Sequence, residues 1–175
     1  MKHNFLKTFG ILLISSIIVY SCSKDTPAPA YVGTWAATVT YKDTSSNQNY
    51  AVRYLFTFTE SSFTKIFQEI SSTNNQWVNE LATKGDLSVS GNKITYNVTD
   101  IGISSVNPGN NQPTGVITYY NENSSALEFQ TYLSTLEAYT DFSLIAESKT
   151  YTNTFTISGK FLSFSEYPNA IFAKQ

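Results

Sequence analysis

Apolar side chains recur at every second position through most of this chain, the period of strands that bury one face. In residues 33–42, Trp35, Ala37, Val39 and Tyr41 share a face, with Ala36, Thr38 and Thr40 opposite. In residues 50–59, Val52, Tyr54, Phe56 and Phe58 share one, and Ala51, Arg53, Leu55 and Thr57 oppose them. A one-residue slip inverts every row, so the period groups side chains without saying which group faces inward. Glu60-Ser61-Ser62 reads as a tight turn into a returning strand at 63–70. Further strands are expected within 76–90, around Ile94, Tyr96 and Val98, and at 116–120, 141–147, 151–158 and 161–165, with 170–173 closing the sheet. This pattern predicts an all-β, antiparallel fold of about 8–10 short strands, which suits a barrel or a sandwich.

Turn chemistry supports the strand pattern. Residues 87–95 (LSVSGNKIT) echo residues 155–163 (FTISGKFLS): a strand, then Ser-Gly, then a strand. Glycine supplies the positive φ of a tight hairpin. Two stretches break the period. Residues 101–114 (IGISSVNPGNNQPT) are rich in Asn, Gly and Pro and read as a long loop, the natural lid of a barrel mouth. Residues 125–138 open with Ser125 and Glu128 at capping-box spacing, and Phe129, Tyr132, Leu133 and Leu136 form a helical stripe that Leu127 does not join. This predicts one short helix at 125–138. Leu127, Phe129 and Leu133 also lie at even spacing, so two short strands are the alternative.

Charged residues make up only 14% of the chain, so Ser, Thr, Asn and Tyr must build the polar surface. The only histidine is His3 and the only cysteine Cys22, both near the N-terminus. The rest of the chain therefore holds no Ser-His-Asp or Cys-His nucleophile and no histidine-based zinc site. Its glycines form neither a GxGxxG nor a P-loop. Arg53 is the one arginine and no basic run occurs, so no nucleic-acid partner is expected. No catalytic residue, metal or cofactor is assigned and no enzyme is expected. A carboxylate-pair hydrolase needs only two Asp or Glu and is the minor alternative.

Residues 9–20 (FGILLISSIIVY) are apolar, too short to span a bilayer as a helix, and follow Lys2 and Lys7. Ser21 precedes Cys22, and Ser23-Lys24-Asp25 follows it. This layout resembles a bacterial lipoprotein signal peptide with its lipobox, although Tyr20 is bulky where Ala or Ser is usual. The resemblance implies cleavage before Cys22, lipid attachment at Cys22, a tether at residues 22–30 and a domain at 31–175. A plain secretory signal or an uncleaved anchor is the alternative. Acyl chains contribute about 0.8 kcal/mol per buried methylene, so the membrane becomes a near-permanent partner. Ser-Lys-Asp after the cysteine is similar to a fragment of the surface-export signal of Bacteroidetes lipoproteins. The implied location is the bacterial outer membrane, on its periplasmic or cell-surface face.

Gly33-Thr34-Trp35 opens the first strand just after the tether, and Thr140-Asp141-Phe142 precedes a late one. The chain resembles lipocalins and the lipocalin-like lipoproteins of Bacteroidetes, which begin with G-x-W and carry T-D-Y late. The resemblance implies an antiparallel, up-and-down lipocalin-like (calycin) β-barrel in which Gly33 and Trp35 close the narrow end, beneath a basic side chain for which Arg53 and Lys174 are the candidates. It also implies a small apolar or amphipathic ligand inside the barrel, with Tyr54, Phe56, Phe58, Tyr96 and Phe155 as its walls. Large rings fill a barrel as readily as they line a pocket. The competing expectation is a structural or interaction lipoprotein with a filled barrel, whose surface, near Trp77 in particular, binds a protein or glycan partner.

Overall fold

The computed structural model describes residues 28–42, 49–70, 75–110, 112–138 and 144–175. Among these residues nine strands follow one another: β1 (Gly33–Lys42), β2 (Asn49–Phe58), β3 (Ser62–Ile70), β4 (Trp77–Ser90), β5 (Lys93–Val106), β6 (Pro113–Asn121), β7 (Thr150–Ser158), β8 (Phe161–Phe164) and β9 (Ile171–Lys174). One helix, α1 (Ala126–Ala138), lies between β6 and β7. Every pairing is antiparallel. Strands β1 to β5 form a meander, β7 pairs with the first half of β5, and β8 and β9 lead back to β1. Eight strands thus close a ring, and β6 lies beside the second half of β5. The sheet is an all-β, barrel-like fold, and 170–173 closes it as the sequence predicts: β9 joins β8 to β1.

The alternating rows set the interior. Val52, Tyr54, Phe56 and Phe58 are all buried, and so are Phe63, Lys65 and Phe67 of β3. Cross-strand register stacks them in levels: Phe58 opposite Phe63, Phe56 opposite Lys65, and Tyr54 opposite Phe67. Ile94, Tyr96, Val98 and Ile101 of β5 face them, with Tyr151, Phe164 and Phe172 from the closing strands. Each fully buried ring stabilises the fold by about 1.5–3 kcal/mol through area alone. At the Ser-Gly turns, Gly91 has φ 60° and Gly159 φ 59°, the left-handed conformation expected of them.

The two interrupting stretches come out differently. Residues 126–138 are helical, with Phe129, Leu133 and Leu136 buried and Leu127 78% exposed. The stretch 101–114 is mostly strand: β5 runs on to Val106 and β6 begins at Pro113. Residues 144–149 are turns and bends where a strand was expected, and Leu144, Ile145 and Ala146 enter the core. Phe129, Leu133 and Leu136 of α1 belong to the same core cluster. Cys22 and Thr140-Asp141-Phe142 lie outside the described residues.

Candidate functional site

At mid-height inside the barrel sits a lysine. Lys65 belongs to β3 and shares the row of Phe63 and Phe67, so alternation directs it inward, where its exposure is 1%. Its amine lies 3.7 Å from the centroid of the Tyr96 ring, 4.8 Å from Phe56 and 5.0 Å from Tyr151. It donates one hydrogen bond, to the Tyr151 hydroxyl at 3.0 Å. That hydroxyl donates in turn to the Ile145 carbonyl at 2.9 Å, which also accepts from Thr83 at 2.9 Å. The buried 144–146 segment is thereby held from two strands.

Burial drives the Lys65 amine well below its ordinary value, opposed by the negative charge of Glu147. Burial likewise pushes the Tyr96 and Tyr151 phenols well up, with smaller contributions from neighbouring Tyr and Glu side chains. Among the described residues the Tyr96 hydroxyl has no hydrogen-bond partner. At the solvent side of this cluster Glu147 accepts from Asn153 Nδ2 at 3.1 Å and from the Tyr167 hydroxyl. The cluster therefore runs from an exposed carboxylate to a caged amine. The rings nearest the amine stack on one another: Phe56 on Phe172 at 4.5 Å, and Tyr96 against Tyr151 at 4.9 Å and Phe63 at 5.0 Å.

A second ionisable pair lies at the end where β3 passes to β4. Glu80 is raised to about 7 by burial first, then by the charge of Glu69 and by a hydrogen bond between the two carboxyl groups. One such bond between carboxyls requires a proton. The folded form therefore binds a proton that the unfolded chain releases above its ordinary value near 4.5. Stability from this group is complete in mild acid and is lost as pH rises toward 7. Glu80→Gln is expected to stabilise the protein at pH 8 by about 1–2 kcal/mol, discounted for partial exposure, and to leave pH 4 stability nearly unchanged. Urea denaturation at the two pH values measures this; equal effects at both would contradict it.

The sequence-predicted residues fall into two groups. Tyr54, Phe56, Phe58 and Tyr96 come together in the barrel interior, each 0–1% exposed: Phe56 and Tyr96 lie by the Lys65 amine, and Tyr54 and Phe58 pack against Phe56. Phe155 does not join them: it is half-buried and meets the Tyr31 ring edge-on at 6.3 Å, at the end where the chain enters. Trp35 is fully buried at that same end, its indole N–H donating to the Tyr31 carbonyl at 2.8 Å. Of the two candidate bases, Lys174 lies over the Trp35 ring at 5.1 Å. Arg53 pairs with Gln68 and Thr38 in register, elsewhere on the sheet. Trp77 opens β4 and is half-buried. Sequence reasoning passed over Lys65 and Glu80. The signal for Lys65 was present in the Phe63-Lys65-Phe67 spacing.

Besides Leu127 on the helix and Tyr50 and Tyr119 on strands, exposed large apolar side chains among the described residues gather in two regions. At one end, Ile70, Val106 and Val116 are exposed near the β5–β6 turn, beside a small hollow lined by Glu69, Ile70, Val78, Gln112 and Pro113. On the outer wall of β7, β8 and β9, Phe161 and Ile171 flank a hollow of about 330 Å³. No family model, no curated protein and no solved structure matches the chain.

Proposed function

We propose that this chain is a lipid-anchored, lipocalin-like lipoprotein of the bacterial outer membrane that acts through its outer surface, its barrel filled by its own side chains. One observation carries the reading. Four of the five rings that would have lined a ligand pocket, Tyr54, Phe56, Phe58 and Tyr96, pack against one another and other core rings, with Phe56 and Tyr96 at Lys65, so their faces are already occupied. The surface that a protein partner would meet is the end bearing Ile70, Val106 and Val116, away from the chain's entry. Acylation of Cys22 would hold the other end at the membrane.

A carrier reading draws on the unpartnered Tyr96 hydroxyl, a buried polar group that an internal ligand would satisfy. Native mass spectrometry of the purified mature domain decides between the two. A mass equal to the polypeptide alone is the expected result. A co-purified small molecule, lost on Phe56→Ala, would overturn the filled-barrel reading. Labelled palmitate fed to the expressing cells is expected to attach to the wild type and not to Cys22→Ser.

A further inference from the structure

On the outer wall of β7, β8 and β9, Phe161 and Ile171 stand exposed among Thr and Ser side chains. Phe161 is 55% exposed and Ile171 61%, and both point away from the barrel, since their neighbours Leu162 and Phe172 point in. Register brings them together: Phe161 pairs with Ser158 and Ala173, and Ser163 with Thr156 and Ile171. The hollow between them is lined by these two apolar side chains and the hydroxyl-bearing Thr156, Ser158 and Ser163. No charged side chain lines it. Two exposed lysines flank it: Lys160 in the β7–β8 turn and Lys93, whose register partner is Thr154. Glu166 is turned to the Thr154 backbone N–H, which both of its oxygens accept at 3.0 Å.

The place of this wall in the molecule gives it an occupant. Tyr31 marks where the chain enters the barrel. Its ring meets Phe155 of β7, and its hydroxyl donates to the Glu60 carbonyl at 3.1 Å. The β7–β8 turn and the first residue of β8, Phe161, belong to this same end, next to the chain's last residues: the Lys174 N–H donates to the Lys160 carbonyl at 2.9 Å. Five residues separate Cys22 from Ala28, a reach of at most about 22 Å.

We propose that the Phe161–Ile171 wall docks on the bilayer surface, so that the domain lies against the membrane on this side. The two apolar side chains enter the headgroup boundary, the hydroxyls meet the headgroups, and Lys93 and Lys160 meet lipid phosphates. The inference rests on the lipoprotein reading, which puts this end within reach of the membrane. It gives the anchored domain a fixed orientation, with Ile70, Val106 and Val116 facing outward.

The test uses residues 22–175 with Cys22→Ser, so that no acyl chain contributes, and sedimentation with vesicles of phosphatidylethanolamine and phosphatidylglycerol. Weak, salt-sensitive partition is expected. Phe161→Ser with Ile171→Ser should lower it at least about tenfold, the loss of roughly one well-buried apolar side chain. Val106→Ser with Val116→Ser, at the opposite end, should leave it unchanged. All four positions are exposed, and a thermal melt checks that each variant is folded. The proposal fails if the unacylated protein does not partition, or if both double variants partition alike. It fails too if Phe161→Ser with Ile171→Ser abolishes self-association and not vesicle binding, for then a second copy covers the wall. Palmitate labelling of the full chain is independent: label without vesicle binding overturns the docking face alone, and vesicle binding without label overturns the anchor alone.

Discussion

Lys65→Met is expected to stabilise the barrel, by about 1–4 kcal/mol, the range seen when buried charged groups give way to apolar ones of similar volume. Met occupies nearly the same volume and keeps contact with Tyr96, Phe56 and Tyr151. It forfeits one hydrogen bond to Tyr151, whose hydroxyl retains the Ile145 carbonyl as acceptor. Against that loss stands the removal of an amine that solvent cannot reach. At about 2–4 °C per kcal/mol the melting temperature should rise by several degrees. The pH dependence gives a second signature. The folded amine releases its proton below the usual lysine value, whereas the unfolded chain keeps it up to about 10.5. In the window between these values the unfolded state binds more protons, so wild-type stability climbs with pH there and the burial penalty is full below it. Lys65→Met should remove that climb. Urea titrations at pH 6 and pH 9 measure both effects, and a variant less stable than wild type at both would show that the cage and the Tyr151 bond outweigh desolvation.

Trp35→Ala is expected to destabilise by about 3–5 kcal/mol, the usual loss for a large ring removed from a packed core. Trp35 is fully buried, and its indole N–H holds the Tyr31 carbonyl, so its removal also frees the segment that enters the barrel. Trp35→Phe restores most of the volume but not the hydrogen bond, and should recover more than half of the loss. Lys174→Met tests the cation above the ring and should cost only about 0.5–1 kcal/mol, because that amine is exposed. Equilibrium unfolding of the three variants gives the ordering. Equal losses for Trp35→Ala and Lys174→Met would assign the role to the ion rather than to the ring.

The parts of this molecule that obey a period were legible and the parts that obey packing were not. Alternation paired Tyr54, Phe56 and Phe58, and the helical stripe of Phe129, Leu133 and Leu136 stood apart from Leu127, because each pattern maps directly onto one face. The stretch from Ile101 looked like loop because Gly, Ser and Asn disfavour strands. Gly102 is there for another reason: a Cβ would lie 2.4 Å from Ile117 and 2.9 Å from Tyr119, which lean across it from β6. The apolar residues 144–146 looked like strand and instead join the core from a turn, and no local spacing distinguishes those two uses. Lys65 sat in a legible row. Only the three-dimensional register, which places it opposite Phe56 and Thr83 rather than at a rim, shows that it is caged.

The seam between β9 and β1 consists of two residue pairs, Trp35 with Lys174 and Ala36 with Ala173. Among the described strands β9 follows all the others in chain order, so both margins of the wall exist before anything joins them. Until β9 docks, the sheet is a curled ribbon with two unsatisfied margins, vulnerable to sticking to its neighbours. Deleting residues 171–174 would leave that ribbon permanently unzipped.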